Sequence, residues 1–235
     1  MVQFDVLTIF PTVVEDALRI GLLAKALDAD RLVVNVHDLR GFSDDKHRRV
    51  DDVPYGGGPG MVLQVEPIVK GLEAVSRARG GVRRILLSPR GSLLNQQKVA
   101  HYSTYDQLVL ICGRYEGVDE RVSHFIDEEL SIGDYILAGG EYAALVLIDA
   151  VARLLPGVVG ARQSLAEESF YEDLLEYPQY SKPREFRELQ VPEVLLSGDH
   201  GRIRQWRREQ AEAVTQKRRP DLLRSSIRPA KAGKH

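Results

Sequence analysis

A chain of 235 residues with 43% hydrophobic and 28% charged content has the composition of an ordinary globule and the length of one large domain, or of a medium domain with a small companion. No run approaches the roughly 18 uninterrupted apolar residues of a membrane span, residues 1–10 lack the basic start and cleavage site of a secretory leader, and the single cysteine, Cys112, excludes an internal disulfide framework and an all-cysteine metal site; a cytoplasmic protein is expected. The net charge of −2 hides an asymmetry: residues 201–235 hold eleven Lys or Arg against three Asp or Glu, a net of +8, which leaves 21 basic and 31 acidic residues elsewhere, a net of −10. A basic end on an acidic body points to a polyanionic partner such as nucleic acid, or else to a solvated helix face.

In chain order, residues 2–10 read as a buried strand that stops at Pro11, and 12–29 as one helix with Val14, Leu18, Leu22 and Ala26 on its apolar face. Residues 32–36 form a second strand, 66–79 a helix, and 85–87 a short strand closed by Ser88 and Pro89. Next come a helix over 95–105, a strand over 108–112, a helix over 118–126 and a strand fragment over 135–137. The helix over 141–155 has almost no polar face, so it is buried all round or packs on a second subunit. Strands alternating with helices define an α/β fold, a mostly parallel sheet with helices on both faces. The domain plan is residues 1–160, then a linker over 161–180, then a small all-helical, basic domain over 181–235 containing a helix at 202–219.

On such sheets ligands bind outside the carboxyl ends of the strands, here in the loops after Leu87, Cys112 and Leu137. The loop of residues 54–60, Pro-Tyr-Gly-Gly-Gly-Pro-Gly, is incompatible with helix or central strand and reads as a tight turn or a close approach to a ligand. It lacks the Walker pattern; His47, Arg48 and Arg49 before it could meet phosphate or simply be solvated. Residues 112–117, Cys-Gly-Arg-Tyr-Glu-Gly, form either a strand-to-helix turn or an open ligand-facing edge. Residues 131–140, Ser-Ile-Gly-Asp-Tyr-Ile-Leu-Ala-Gly-Gly, depart from the dinucleotide fingerprint and suit a flat apolar slot for an adenine ring. Arg153 lies in a last helical turn, where a cation gains about 0.3–1 kcal/mol from the dipole, and Glu167 and Glu168 read alone as solvated linker acids. The six histidines show no metal-ligand spacing.

Taken together, VDDVPYGGGPGM, LLSPRG, CGRYEGVDER, SIGDYILAGGE, RLLPGV and VPEVLLSGDH followed by IRQWRREQ, in this order over nearly the whole chain, resemble the tRNA (guanine-N1)-methyltransferase family (TrmD). The resemblance implies a SPOUT-class α/β fold with a deep trefoil knot, a homodimer with each active site shared between subunits, and S-adenosylmethionine bent in the knot. By motif, its contacts would be Leu87, Ser88, Pro89, Gly113, Tyr115, Glu116, Ile132, Gly133, Asp134, Tyr135, Ile136 and Leu137, with Gly139 and Gly140 closing the slot. It also implies tRNA as substrate, methylated on the guanosine 3′ of the anticodon when another guanosine precedes it. Mg²⁺ is implied as an assistant, with no motif identifying ligands.

The substrate dictates the chemistry. Guanine N1 is protonated at neutral pH and becomes nucleophilic only when a nearby carboxylate takes that proton. The charge spreads to O6, where an arginine would stabilise it. By the resemblance Arg153 takes the O6 role. The family's usual base is the Asp of a Glu-Asp-Ser pattern; Glu167, Glu168 and Ser169 occupy those places here, so Glu168 is the expected base and Glu167 its understudy. The extra methylene moves the carboxylate by about 1 Å, enough to matter for positioning. The basic helix would meet tRNA phosphates, with Arg114 and Arg48 as weaker candidates, and the target base must leave its stack. Three competing readings are a SPOUT methyltransferase acting on ribosomal RNA, a non-catalytic RNA-binding protein of the same fold, and a dinucleotide-dependent α/β enzyme.

Overall fold

The computed structural model describes residues 1–76, 81–159, 168–170 and 173–225. The chain divides into two units, Met1–Gly160 and Ala161–His235. The first is built on five parallel strands: β1 (Val2–Thr8), β2 (Leu32–Asp38), β5 (Val82–Leu93), β6 (Gln107–Cys112) and β7 (Glu128–Ser131), in the order β2-β1-β6-β5-β7. Two-residue strands β3 (Asp51–Asp52) and β4 (Val62–Leu63) pair antiparallel beside it. Every residue of the central strand β6 is buried, as both faces of a parallel sheet must be covered.

Alternation along the strands splits the core into two layers. Phe4, Val6, Ile85, Leu87, Leu108 and Leu110 face α1 (Pro11–Leu18), α2 (Gly21–Asp28), α4 (Gln96–Tyr102) and α5 (Glu141–Leu154), through residues such as Val14, Leu23, Val99, Leu147 and Val151. Leu7, Leu86, Val109 and Ile111 face Ile68 and Leu72 of α3 (Val65–Val75). Each such side chain contributes about 1.5–3 kcal/mol on full burial.

One polar cluster interrupts the second layer. The buried Asp5 carboxylate accepts from Gln107 Nε2 at 2.6 Å, Gln3 Nε2 at 2.7 Å and Asn35 Nδ2 at 3.0 Å, and lies 2.8 Å from His37 Nε2. Burial works to raise its pKa, but the hydrogen bonds from Gln107, His37, Gln3 and Asn35 outweigh it, and the group stays below the usual carboxylate value.

Several expectations from the sequence change. The helix expected over 12–29 is two helices, because Ile20 is extended and Gly21 takes φ +70°; the second buries Leu23 in place of Leu22. β5 does not stop at Ser88: it runs to Leu93 and shifts register on β7 between Leu87 and Ser92. Residues 118–126 hold a 3₁₀ turn, Glu120–Phe125, capped where Asp119 accepts from the Arg121 amide. The strand fragment over 135–137 is loop; the fifth strand is Glu128–Ser131, so the third ligand-facing loop leaves Ser131. The helix over 66–79 ends at Val75, and residues 77–80 lie outside the described residues.

In the second unit the helix His200–Arg218 is capped by Asp199, which accepts from the amides of Gly201 at 2.9 Å and Arg202 at 3.1 Å. A helix Pro220–Ser225 comes after it, and a two-stranded hairpin (β8, Glu185–Phe186; β9, Leu189–Gln190) precedes it in an otherwise helical region. Among the described residues no helix is long and apolar enough to cross a membrane.

Candidate active site

The carboxyl ends of β6 and β7 and the irregular stretch of β5 after Leu87 surround a cavity of about 420 Å³. Its wall comes from three stretches, Leu86 to Arg90, Gly113 to Val118, and Leu130 to Gly140 without Asp134, together with Ala143 of α5. The volume lies within the roughly 300–1,000 Å³ of small-molecule sites. Thirteen of the fourteen residues expected to hold a cofactor line it: Leu87, Ser88, Pro89, Gly113, Tyr115, Glu116, Ile132, Gly133, Tyr135, Ile136, Leu137, Gly139 and Gly140. The fourteenth, Asp134, is exposed and absent from the wall.

Glycine is required where the stretches touch. Leaving β7 beside β5, the third stretch reaches β6, where the Gly140 amide donates to Gly113 O at 2.9 Å and Gly139 bridges Arg114. A Cβ on Gly140 would sit 2.7 Å from Cys112 Cα, and one on Gly139 would collide with Arg114 Nε and Glu141 Oε2. A Cβ on Gly91 would strike the backbone of Glu129 and Leu130.

Residues 61–63, directly after the glycine-rich loop of 54–60, brace this wall. Met61 O accepts from the Glu116 amide at 3.0 Å, the Leu63 amide donates to Gly117 O at 3.0 Å, and Leu63 O accepts from the Asp119 amide at 2.9 Å. Tyr115 is held at φ +59°, a conformation uncommon for a bulky side chain. Gly56, Gly57 and Gly58 have positive φ and nothing within 4 Å of an added Cβ, so backbone conformation, not crowding, selects glycine there. Arg49 is engaged by Asp45, which also accepts from the amides of His47 and Arg49; these bonds pull Asp45 down to about 2. Arg48 pairs with no acid among the described residues.

An ionic group that the sequence reading passed over backs the cavity. Glu141 opens the apolar helix α5 and is 1% exposed. Its Oε1 accepts from Thr8 Oγ1 at 2.7 Å, and its Oε2 faces Arg114 Nη2 at 3.5 Å, too long for a strong hydrogen bond. Arg114 stacks on Phe10, 4.4 Å from the ring centroid. Arg114 Nε and Glu141 Oε2 are buried without a hydrogen-bond partner among the described residues. Arg114 also lines the cavity, so its guanidinium makes that part of the wall cationic. The sequence signal was an acid at the start of a helix that is otherwise apolar. Cys112 lies behind the same wall; complete burial, aided by the Glu141 charge, pushes its thiol well above the usual value and leaves it inert.

Arg153 is half-buried in the last turn of α5, within the first unit. Glu168 belongs to the second unit, where the backbone folds back on itself: Ser169 Oγ accepts from the Glu176 amide at 2.9 Å and the Phe170 amide donates to Leu174 O at 2.7 Å. Glu167 lies outside the described residues. Among the described residues no group of three or more His, Cys, Asp or Glu could hold a metal ion.

A parallel α/β sheet with a cavity of this size at its strand ends, closed by glycine-rich loops, defines a protein built to hold a nucleoside-sized cofactor or substrate. The family model described as tRNA (Guanine-1)-methyltransferase TrmD matches residues 2–225, and the chain belongs to that family. It is 52% identical over 223 residues to a tRNA (guanine-N(1)-)-methyltransferase of Dictyoglomus turgidum, covering 95% of this chain and 90% of the relative. Proteins of the same name from Caldanaerobacter subterraneus (50% identical; 95% and 92% covered) and Moorella thermoacetica (51%; 94% and 90%) are similar at the same level.

Proposed function

We propose that this protein methylates N1 of guanine in tRNA, on the guanosine next to the anticodon, using S-adenosylmethionine bound in the cavity between the ends of β6 and β7 and the irregular stretch of β5. The carrying observation is that loops assigned to the cofactor by motif converge on one 420 Å³ cavity whose wall includes Arg114. Those features fit the cofactor: an apolar slot from Ile132, Tyr135, Ile136 and Leu137, backbone at Gly113, Gly139 and Gly140, and a cationic wall at Arg114. When bound, S-adenosylmethionine supplies an electrophilic methyl group. Glu168 takes the N1 proton and Arg153 stabilises the charge that gathers on O6. Arginines of the helix His200–Arg218 hold RNA phosphates.

Three further features belong to this reading. The domain plan of 1–160, a linker of 161–180 and a tRNA-binding region of 181–235 is supported by the division at residue 160. A knot is consistent with the path of residues 132–140, which lead from β7 past β5 to the end of β6, where Gly139 bridges Arg114 and the Gly140 amide donates to Gly113 O. A homodimer is supported by α5, whose outer face shows Tyr142 at 62% and Val146 at 46% exposure, one turn apart. The protein works in the cytoplasm, where its substrate is. Mg²⁺ assistance is left to titration with EDTA and Mg²⁺.

The test is incubation with radiolabelled S-adenosylmethionine and unmodified tRNA transcripts that differ only at the guanosine beside the anticodon. Label should enter the guanosine transcript as 1-methylguanosine and stay out of the other. Label in neither transcript, with label entering ribosomal RNA supplied in a parallel incubation or entering no RNA at all, would refute the reading.

A further inference from the structure

The second unit holds a cavity of its own, of about 430 Å³, lined by Tyr177, Pro178, Gln179, Tyr180, Leu195, His200, Ile203, Arg204 and Arg207. Its walls are fixed. The segment before Tyr177 is anchored where the buried Thr215 hydroxyl accepts from the Leu175 amide at 2.8 Å and donates to Ala211 O at 2.6 Å. Arg207 stacks over Tyr177 at 4.8 Å, and Tyr180 lies against Trp206 with centroids 6.3 Å apart. Half-exposed aromatic rings, two arginines and a histidine around one concavity are the chemistry of a nucleotide subsite: rings stack on a base and cations meet its phosphate. A surface serving only as a charge track for phosphates needs neither the rings nor the depth.

We propose that this cavity binds one unpaired nucleotide of the RNA substrate, its base against Tyr180 and its phosphate on Arg204. The proposal rests on the reading of RNA as substrate and adds to it a base-holding contact in a region otherwise assigned to phosphate contacts. Trp206 is the chain's single tryptophan and lies against Tyr180, so its emission reports on the surroundings of that cavity ring.

The experiment uses the full chain. Titration with pentariboadenylate should change Trp206 emission saturably. Tyr180→Ala, at a half-exposed position outside regular structure, should weaken binding of an unmodified tRNA transcript about tenfold, by the same factor at every salt concentration. Arg202→Ala, on the same helix but outside the cavity, should instead lower the slope of log K against log salt by about 1. Ile203→Phe, which fills the cavity without removing charge, should reproduce the Tyr180→Ala loss and guards against misfolding of either variant. Silent Trp206 emission, or wild-type tRNA affinity in both cavity variants, overturns the proposal while tRNA binding by the parent chain stands. Failure of the parent chain to bind tRNA overturns the RNA reading as a whole.

Discussion

Gly140→Ala isolates the closest backbone approach in the active-site wall. Gly140 has φ −79°, so alanine suffers no backbone strain there. Its Cβ would lie 2.7 Å from Cys112 Cα, 3.1 Å from the Gly113 amide nitrogen and 3.2 Å from Cys112 Cβ. Carbon atoms in good contact sit about 3.5–4.0 Å apart, so the two segments must separate by roughly 1 Å. Cys112 ends the fully buried strand β6 and cannot retreat, so the loop must move, stretching the 2.9 Å bond from the Gly140 amide to Gly113 O. Overpacking of this kind costs about 1–3 kcal/mol, and the weakened hydrogen bond about 1 kcal/mol more. At about 2–4 °C per kcal/mol for a domain of this size, Tm should fall by about 4–16 °C. Because Gly113 and Gly140 line the same cavity, affinity for S-adenosylmethionine by calorimetry should fall at least tenfold. Gly58→Ala is the control for cofactor affinity: with open space around it, it should cost about 1–3 kcal/mol of stability through φ +127° and yet keep near-normal cofactor affinity. Equal stability and affinity in Gly140→Ala and the parent would refute the packing argument.

Asp5→Ala should lose about 1–3 kcal/mol in urea unfolding, because four polar partners lose a shared buried acceptor. Folding lowers the Asp5 pKa below its ordinary 3.8, so its contribution is present above that value and disappears as pH falls through the lower folded one; the acid limb of a stability–pH curve should flatten in the variant. Glu141→Gln keeps an acceptor for Thr8 but removes the charge facing Arg114, and should raise KM for S-adenosylmethionine more than it lowers kcat. Cys112 should resist iodoacetamide at pH 8 in the native protein and react on unfolding in urea, as followed by mass spectrometry.

The sheet was legible where strands are mostly apolar: residues 2–8, 32–36 and 108–112 carry β-branched and aliphatic runs, and those of the inner strands β1 and β6 are the most deeply buried. The edge strand Glu128–Ser131 was not, because Glu128 and Glu129 pair their charges with Arg83 and Arg90 along the rim, and an edge need not look apolar. The break at Gly21 could have been read from a glycine interrupting an apolar period. The continuation of β5 through Ser88 and Pro89 could not, since an inner strand tolerates proline only at a bulge, and the irregularity between Leu87 and Ser92 exists only in the paired sheet. The cavity wall was nearly complete in the motifs, because motif glycines mark close backbone approaches. The Glu141–Arg114–Phe10 group escaped because its members are 131 residues apart along the chain at their extremes and meet only through the fold. The Asp5 cluster escaped for the same reason: Asp5 and Gln107 meet because β1 and β6 are neighbours.

The central claim is that a carboxylate at Glu168 deprotonates guanine N1 while Arg153 holds O6. It is tested most directly by single-turnover methyl transfer with enzyme in excess over labelled tRNA. Glu168→Ala and Arg153→Ala should each slow the chemical step at least about a hundredfold while Kd for S-adenosylmethionine and tRNA stays within a few-fold of the parent. Parent-like single-turnover rates in both variants would contradict the account.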